Sequence, residues 1–141
     1  MFLVHINYLA VLLCGIASMI IGGLWYGPLF GKQWEKLVGM TPQKKETAKK
    51  EMGMSYGGMF IGSLVMAYVL AHLVWYAAPG SLTLLISVKT AVWAWLGFVA
   101  TVSLSKFLFT PDKKPFSLLF IETGYYLSTL IVMGVIFAVL K

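Results

Sequence analysis

Apolar residues fall into four long runs separated by polar stretches. The runs extend from about Ile6 to Gly27, Tyr56 to Ala78, Leu82 to Leu108 and Ser117 to Leu140. Each supplies the roughly 20 residues that a helix needs to cross a hydrocarbon layer of ~30 Å. None alternates between apolar and polar positions, as a membrane β-strand of about ten residues would. The pattern predicts an all-α, polytopic membrane protein, with four transmembrane helices forming a single domain over residues 1–141.

The stretch between the first two runs, residues 28–55, has a pattern of its own. Phe30, Trp34, Leu37 and Val38 recur at i, i+4, i+7 and i+8, while Lys32, Gln33, Glu35 and Lys36 take the other side. This spacing predicts a short amphipathic helix over about 29–38, lying in the membrane interface. Pro28 suits its first turn and Gly39 its end. Thr41 followed by Pro42 then reads as a cap and first turn, and Glu46 stands four residues before Lys50 in the favourable order. A polar helical extension over about 42–55 is expected to run into the second span.

Composition agrees with the pattern. Charged residues make up 11% of the chain and the mean hydropathy is +0.85, against roughly 25% charged residues in soluble domains. All eleven basic residues are Lys, and without Arg the bidentate recognition of bases and phosphates is missing. Nucleic acid is therefore not an expected partner; the partner of a chain with net charge +6 is the lipid bilayer. Nine of the lysines fall in or beside residues 28–55 and 109–116, leaving Lys89 and Lys141 for the opposite side. The positive-inside rule places both loops in the cytoplasm and both termini outside, in a plasma (inner) membrane. Met1 to His5 lacks the positive charge of a cleaved signal peptide. Cys14 is the single cysteine, so neither an intrachain disulfide nor a cysteine metal cluster can form.

Small residues mark the faces expected to pack. On the first span, Gly15, Ser18 and Gly22 share a side with Cys14 and Trp25 at the 3.6-residue period. Gly58 and Gly62 form a Gly-x-x-x-Gly pair on the second, a spacing that lets helix backbones approach within one chain or in a homo-oligomer. Trp25, Tyr26, Phe30 and Trp34 cluster where the first apolar run meets its first lysines, and are expected to anchor that end at the interface.

Few residues could carry chemistry. Glu122 is the one carboxylate inside an apolar run, with Tyr125, Tyr126 and Thr129 following it on one stripe. An intramembrane carboxylate is a candidate proton or cation site; the alternative is a place in the headgroup zone, paired with Lys106 or with the helix N-terminus. Toward the other surface, His72, Tyr76, Lys89, His5 and Asn7 lie at similar depth and form a candidate pocket for an anionic or polar ligand. The competing reading has Lys89 snorkelling to the headgroups and His72 bonded to a neighbouring helix. Two histidines on different helices with no nearby carboxylate do not make a metal site, and no cofactor is implied. Phosphate-binding loops, nucleophile elbows and zinc-protease motifs are absent from the sequence, so an enzyme is not expected. Two functions stay open. One is a structural or accessory role in the membrane. The other is a small transporter or channel-like oligomer with Glu122 or the His72–Lys89 region lining a polar path.

Asn7 with Ala10 and Val11, the run Gly22–Gly23–Leu24–Trp25–Tyr26–Gly27–Pro28–Leu29–Phe30–Gly31, and Trp34 together resemble the opening of the family catalogued as domain of unknown function 1761. Leu96–Gly97–Phe98 and Gly124–Tyr125 are similar to its later landmarks. The resemblance covers essentially the whole chain. It implies a small, mostly bacterial, four-helix integral membrane protein, and it carries no catalytic or binding role onto any position.

Overall fold

A computed structural model describes residues 3–141. Its helices are α1 (Tyr8–Leu29), α2 (Gly31–Val38), α3 (Pro42–Lys50), α4 (Met52–Ala77), α5 (Leu84–Phe109) and α6 (Phe116–Val139). Of these, α1, α4, α5 and α6 are long and apolar enough to cross a membrane. The chain is a multi-pass membrane protein. Its two ends are easily told apart: α2, α3 and most lysines lie at one, the lysine-rich end, and the starts of α1 and α5 lie at the other, the terminal end.

Local chemistry sets the helix boundaries. Asn7, Thr41 and Thr83 cap α1, α3 and α5, each side-chain oxygen accepting the backbone N–H three residues on. Gly39, at φ 70°, takes the left-handed conformation that ends α2, and Gly80, at φ 71°, does the same in the turn between α4 and α5. The expected polar extension is divided: α3 stops at Lys50, and Glu51, with φ −96° and ψ 2°, bends the chain into α4.

Pro28 behaves differently from expectation. It does not open a new helix but lies inside a π-helical turn, Trp25–Leu29, that closes α1. Proline has no N–H to give to the carbonyl four residues back, and the turn widens instead. Phe30 N–H donates to Trp25 O at 2.8 Å, five residues away. The chain then starts α2 at Gly31, where a Cβ would collide with the Tyr26 carbonyl. A second π-helical turn, Trp95–Ala100, interrupts α5 near its middle without any proline. There the Thr101 hydroxyl donates to Gly97 O at 2.6 Å.

The helix α6 is the centre of the bundle and packs against α1, α4 and α5. In its most apolar stretch 44% of residues are buried, against 11% for α5, which presents most of its surface to lipid. Small residues in the core, Ala10, Cys14, Ala67 and Ala91, let the helices close around Leu70 and Met133. This suits a bilayer, where association depends on close van der Waals packing because lipid is as apolar as the side chains.

Candidate functional site

The two π-helical turns share a feature. Each begins with a tryptophan whose indole N–H reaches a backbone carbonyl of α6. Trp25 Nε1 donates to Ile121 O at 2.9 Å, and Trp95 Nε1 donates to Thr123 O at 2.8 Å. These carbonyls belong to the residues on either side of Glu122. Gly124 admits the Trp25 ring: a Cβ there would stand 3.1 Å from Cζ2.

Aromatic rings surround this part of α6. Trp25 packs on Phe30 with centroids 4.7 Å apart, and Tyr26 meets Trp34 edge-on at 5.5 Å. Tyr26 also packs on Tyr125 at 5.5 Å, and Tyr125 on Tyr126 at 5.0 Å. Glu122 is half-buried, within electrostatic reach of the Tyr26 and Tyr126 hydroxyls. It does not pair with Lys106; among the described residues the ion pair formed is Lys45 with Glu35, at 3.3 Å on the surface.

Farther into the bundle the polar groups are hydroxyls. Ser18 Oγ lies 2.8 Å from Ser63 Oγ and 3.0 Å from Tyr125 OH, and Tyr125 OH donates to Ser18 O at 3.1 Å. One proton order satisfies all three contacts: Ser63 to Ser18, Ser18 to Tyr125, Tyr125 to the carbonyl. Gly22 makes the space, since a Cβ there would lie 3.4 Å from Tyr125 OH and 3.0 Å from Met59 Cε. Nearer the terminal end, Ser87 Oγ donates to Gly134 O. Thr129, 1% exposed, keeps its hydroxyl without a partner.

The terminal end holds a cavity of about 370 Å³. Its walls include the buried side chains of Ala71, Val74, Ala78 and Phe137, and its mouth carries His5, Asn7, Ser81 and Lys141. Two contacts define the mouth: Asn7 Nδ2 donates to Leu140 O at 2.7 Å, and Lys141 Nζ donates to Leu82 O at 2.8 Å.

A family model described as Protein of unknown function (DUF1761) matches residues 9–138. The chain belongs to that family. No curated protein and no solved structure matches it. In this DUF1761 member the segment from Trp25 to Trp34 is tied to the central helix: Trp25 is bonded to α6, and Tyr26 packs on it through Tyr125.

Other residues singled out from the sequence lie elsewhere. His72 and Lys89 do not line the cavity, although His5 and Asn7 do. The His72 ring stays on its own helix, its Nδ1 2.9 Å from Tyr68 O and its centroid 4.6 Å from that of Tyr68. Lys89 and Tyr76 are exposed. Equal depth had suggested a shared pocket, but rotation about the helix axis separates them. Gly58 and Gly62 also face outward, where an added Cβ would meet nothing within 4 Å, so they are not packing positions within this chain. Gly15 does sit in a contact, its would-be Cβ 2.7 Å from Leu64 Cδ2. Trp95 and Ser63 were missed. A tryptophan in mid-span needs a partner for its N–H, and that requirement was the available signal for Trp95.

Proposed function

We propose that this protein is a structural or accessory module of the membrane, neither a conduit nor an enzyme. The observation that carries this reading is the apolar section between its two polar regions. Between the Glu122 cluster and the terminal cavity, Cys14, Leu70 and Met133 are each no more than 2% exposed and fill the space between helices. Hydroxyls in that section are tied to neighbouring groups, apart from that of Thr129. A path for a hydrated ion would need a lining of polar groups or water, and close packing of this kind opposes one. The tests are direct. Proteoliposomes holding the full chain, given a pH gradient, should lose it no faster than empty liposomes. A proton flux present in the natural protein and absent in Glu122→Gln would overturn the reading in favour of transport.

The same reading places the lysine-rich end in the cytoplasm of a bacterial cell, with both termini outside, by the distribution of nine lysines against two. Cysteines introduced at Lys45 and Lys113 should react with an impermeant maleimide only after the cells are opened. Cys14, 0% exposed, should stay silent in that assay. Labelling of both introduced sites on intact cells would invert the topology.

A further inference from the structure

We propose that the cavity at the terminal end binds an anionic lipid, with the acyl chain inside and the charged headgroup at the mouth. The proposal is independent of whether the protein transports anything.

Position is the first argument. The cavity opens where α1 and α5 begin and where α4 and α6 end, the depth at which lipid headgroups meet acyl chains. Shape is the second. Its volume, about 370 Å³, is that of a ligand site, which typically spans roughly 300–1,000 Å³ with apolar walls and a few polar groups. Here Val74 and Phe137, 2% and 6% exposed, form an apolar wall suited to methylenes.

Charge selects the headgroup. All five carboxylate side chains, Glu35, Glu46, Glu51, Asp112 and Glu122, lie toward the lysine-rich end. The mouth of the cavity has donors instead. Lys141 gives one of its three N–H groups to Leu82 O and keeps two, and Asn7 gives one of its two amide hydrogens to Leu140 O and keeps the other. His5 and Ser81 stand beside them, exposed. A phosphate diester or a carboxylate accepts from such groups. The ammonium of a zwitterionic lipid would find no side-chain carboxylate here to meet it. An anionic headgroup meets side-chain donors at this mouth, whereas the ammonium of a zwitterionic one meets only backbone carbonyls and hydroxyls.

The test uses the full chain in phosphatidylcholine nanodiscs. Brominated phosphatidylglycerol or brominated phosphatidylcholine is added at rising mole fraction. Trp75, which lines the cavity, is the reporter, its signal isolated as the difference from Trp75→Phe. Phosphatidylglycerol should reach half-maximal quenching at a mole fraction about tenfold lower, and Lys141→Gln with His5→Gln should remove most of that preference. Both altered residues are exposed, so folding is not at stake. Oleate that displaces the brominated lipid names a fatty carboxylate as a second source of the same chemistry; oleate without effect restricts the site to phospholipid. Equal quenching by the two lipids would overturn the proposal, as would a preference untouched by the double substitution.

Discussion

The indole of Trp25 occupies the space that a side chain at position 124 would need. A Cβ on Gly124 would lie 3.1 Å from Trp25 Cζ2 and 3.6 Å from Cη2. The ring is held there by its hydrogen bond to Ile121 O, so it has little freedom to retreat. Gly124→Ala should therefore lower stability by about 1–3 kcal/mol, the usual cost of overpacking a filled site. Thermal unfolding in detergent measures it. Trp25→Leu combined with Gly124→Ala should cost less than the two changes summed, because the clash disappears with the ring. Strict additivity would show that the ring and the glycine do not constrain each other.

Tyr125 joins α6 to α1 through two contacts with Ser18. Removing its hydroxyl in Tyr125→Phe should cost about 1 kcal/mol, since side-chain hydrogen bonds between membrane helices average ~0.6 kcal/mol each. Ser63→Ala, at the far end of the chain of hydroxyls, should cost less. The comparison is read from melting curves of the single and double variants. A larger loss for Ser63→Ala than for Tyr125→Phe would show that the Ser18–Ser63 contact holds the helices more strongly than the two contacts of Tyr125.

Thr129 points to a gain rather than a loss. Its buried hydroxyl has no partner, and an unpaired buried polar group is unfavourable. Thr129→Val keeps the side chain's shape, and should leave stability unchanged or raise it by about 1 kcal/mol. Clear destabilisation in the same melting assay would reveal a partner for this hydroxyl, such as a buried water.

Gly58 and Gly62 separate folding from assembly. Each has open space where a Cβ would go, so Gly58→Ala and Gly62→Ala should hold or raise helix stability by about 0.5–1 kcal/mol. Gly15→Ala should do the opposite, because its Cβ must displace Leu64. If Gly58 and Gly62 instead make a contact between copies, Gly62→Leu should shift the protein to a smaller species in detergent, by light scattering. An unchanged mass would leave this pair without a role in assembly.

The four spans were legible because a bilayer requires about 20 consecutive apolar residues, a demand written directly into the chain. The face of α1 bearing Gly15, Ser18 and Gly22 was legible from helical periodicity alone. What stands opposite that face was not. Ser63, Met59 and Tyr125 come from helices whose rotation and depth are decided by packing, and no period within a single run encodes that. His72 and Lys89 show the same limit: depth can be counted from a helix end, but rotation against a neighbour cannot. The turn at Pro28 was misjudged for a local reason. A missing N–H can start a helix or widen one, and the choice depended on Gly31 accepting close contact with the Tyr26 carbonyl.

The two indole bonds also limit how α6 can move. Trp25 approaches from α1 and Trp95 from α5, and they clasp carbonyls two residues apart. Sliding α6 along its axis by one residue, or turning it by one position, would pull both carbonyls out of reach together. A stroke that carried Glu122 between depths would therefore break both indole bonds at once, at a cost of about 0.5–1.5 kcal/mol for each.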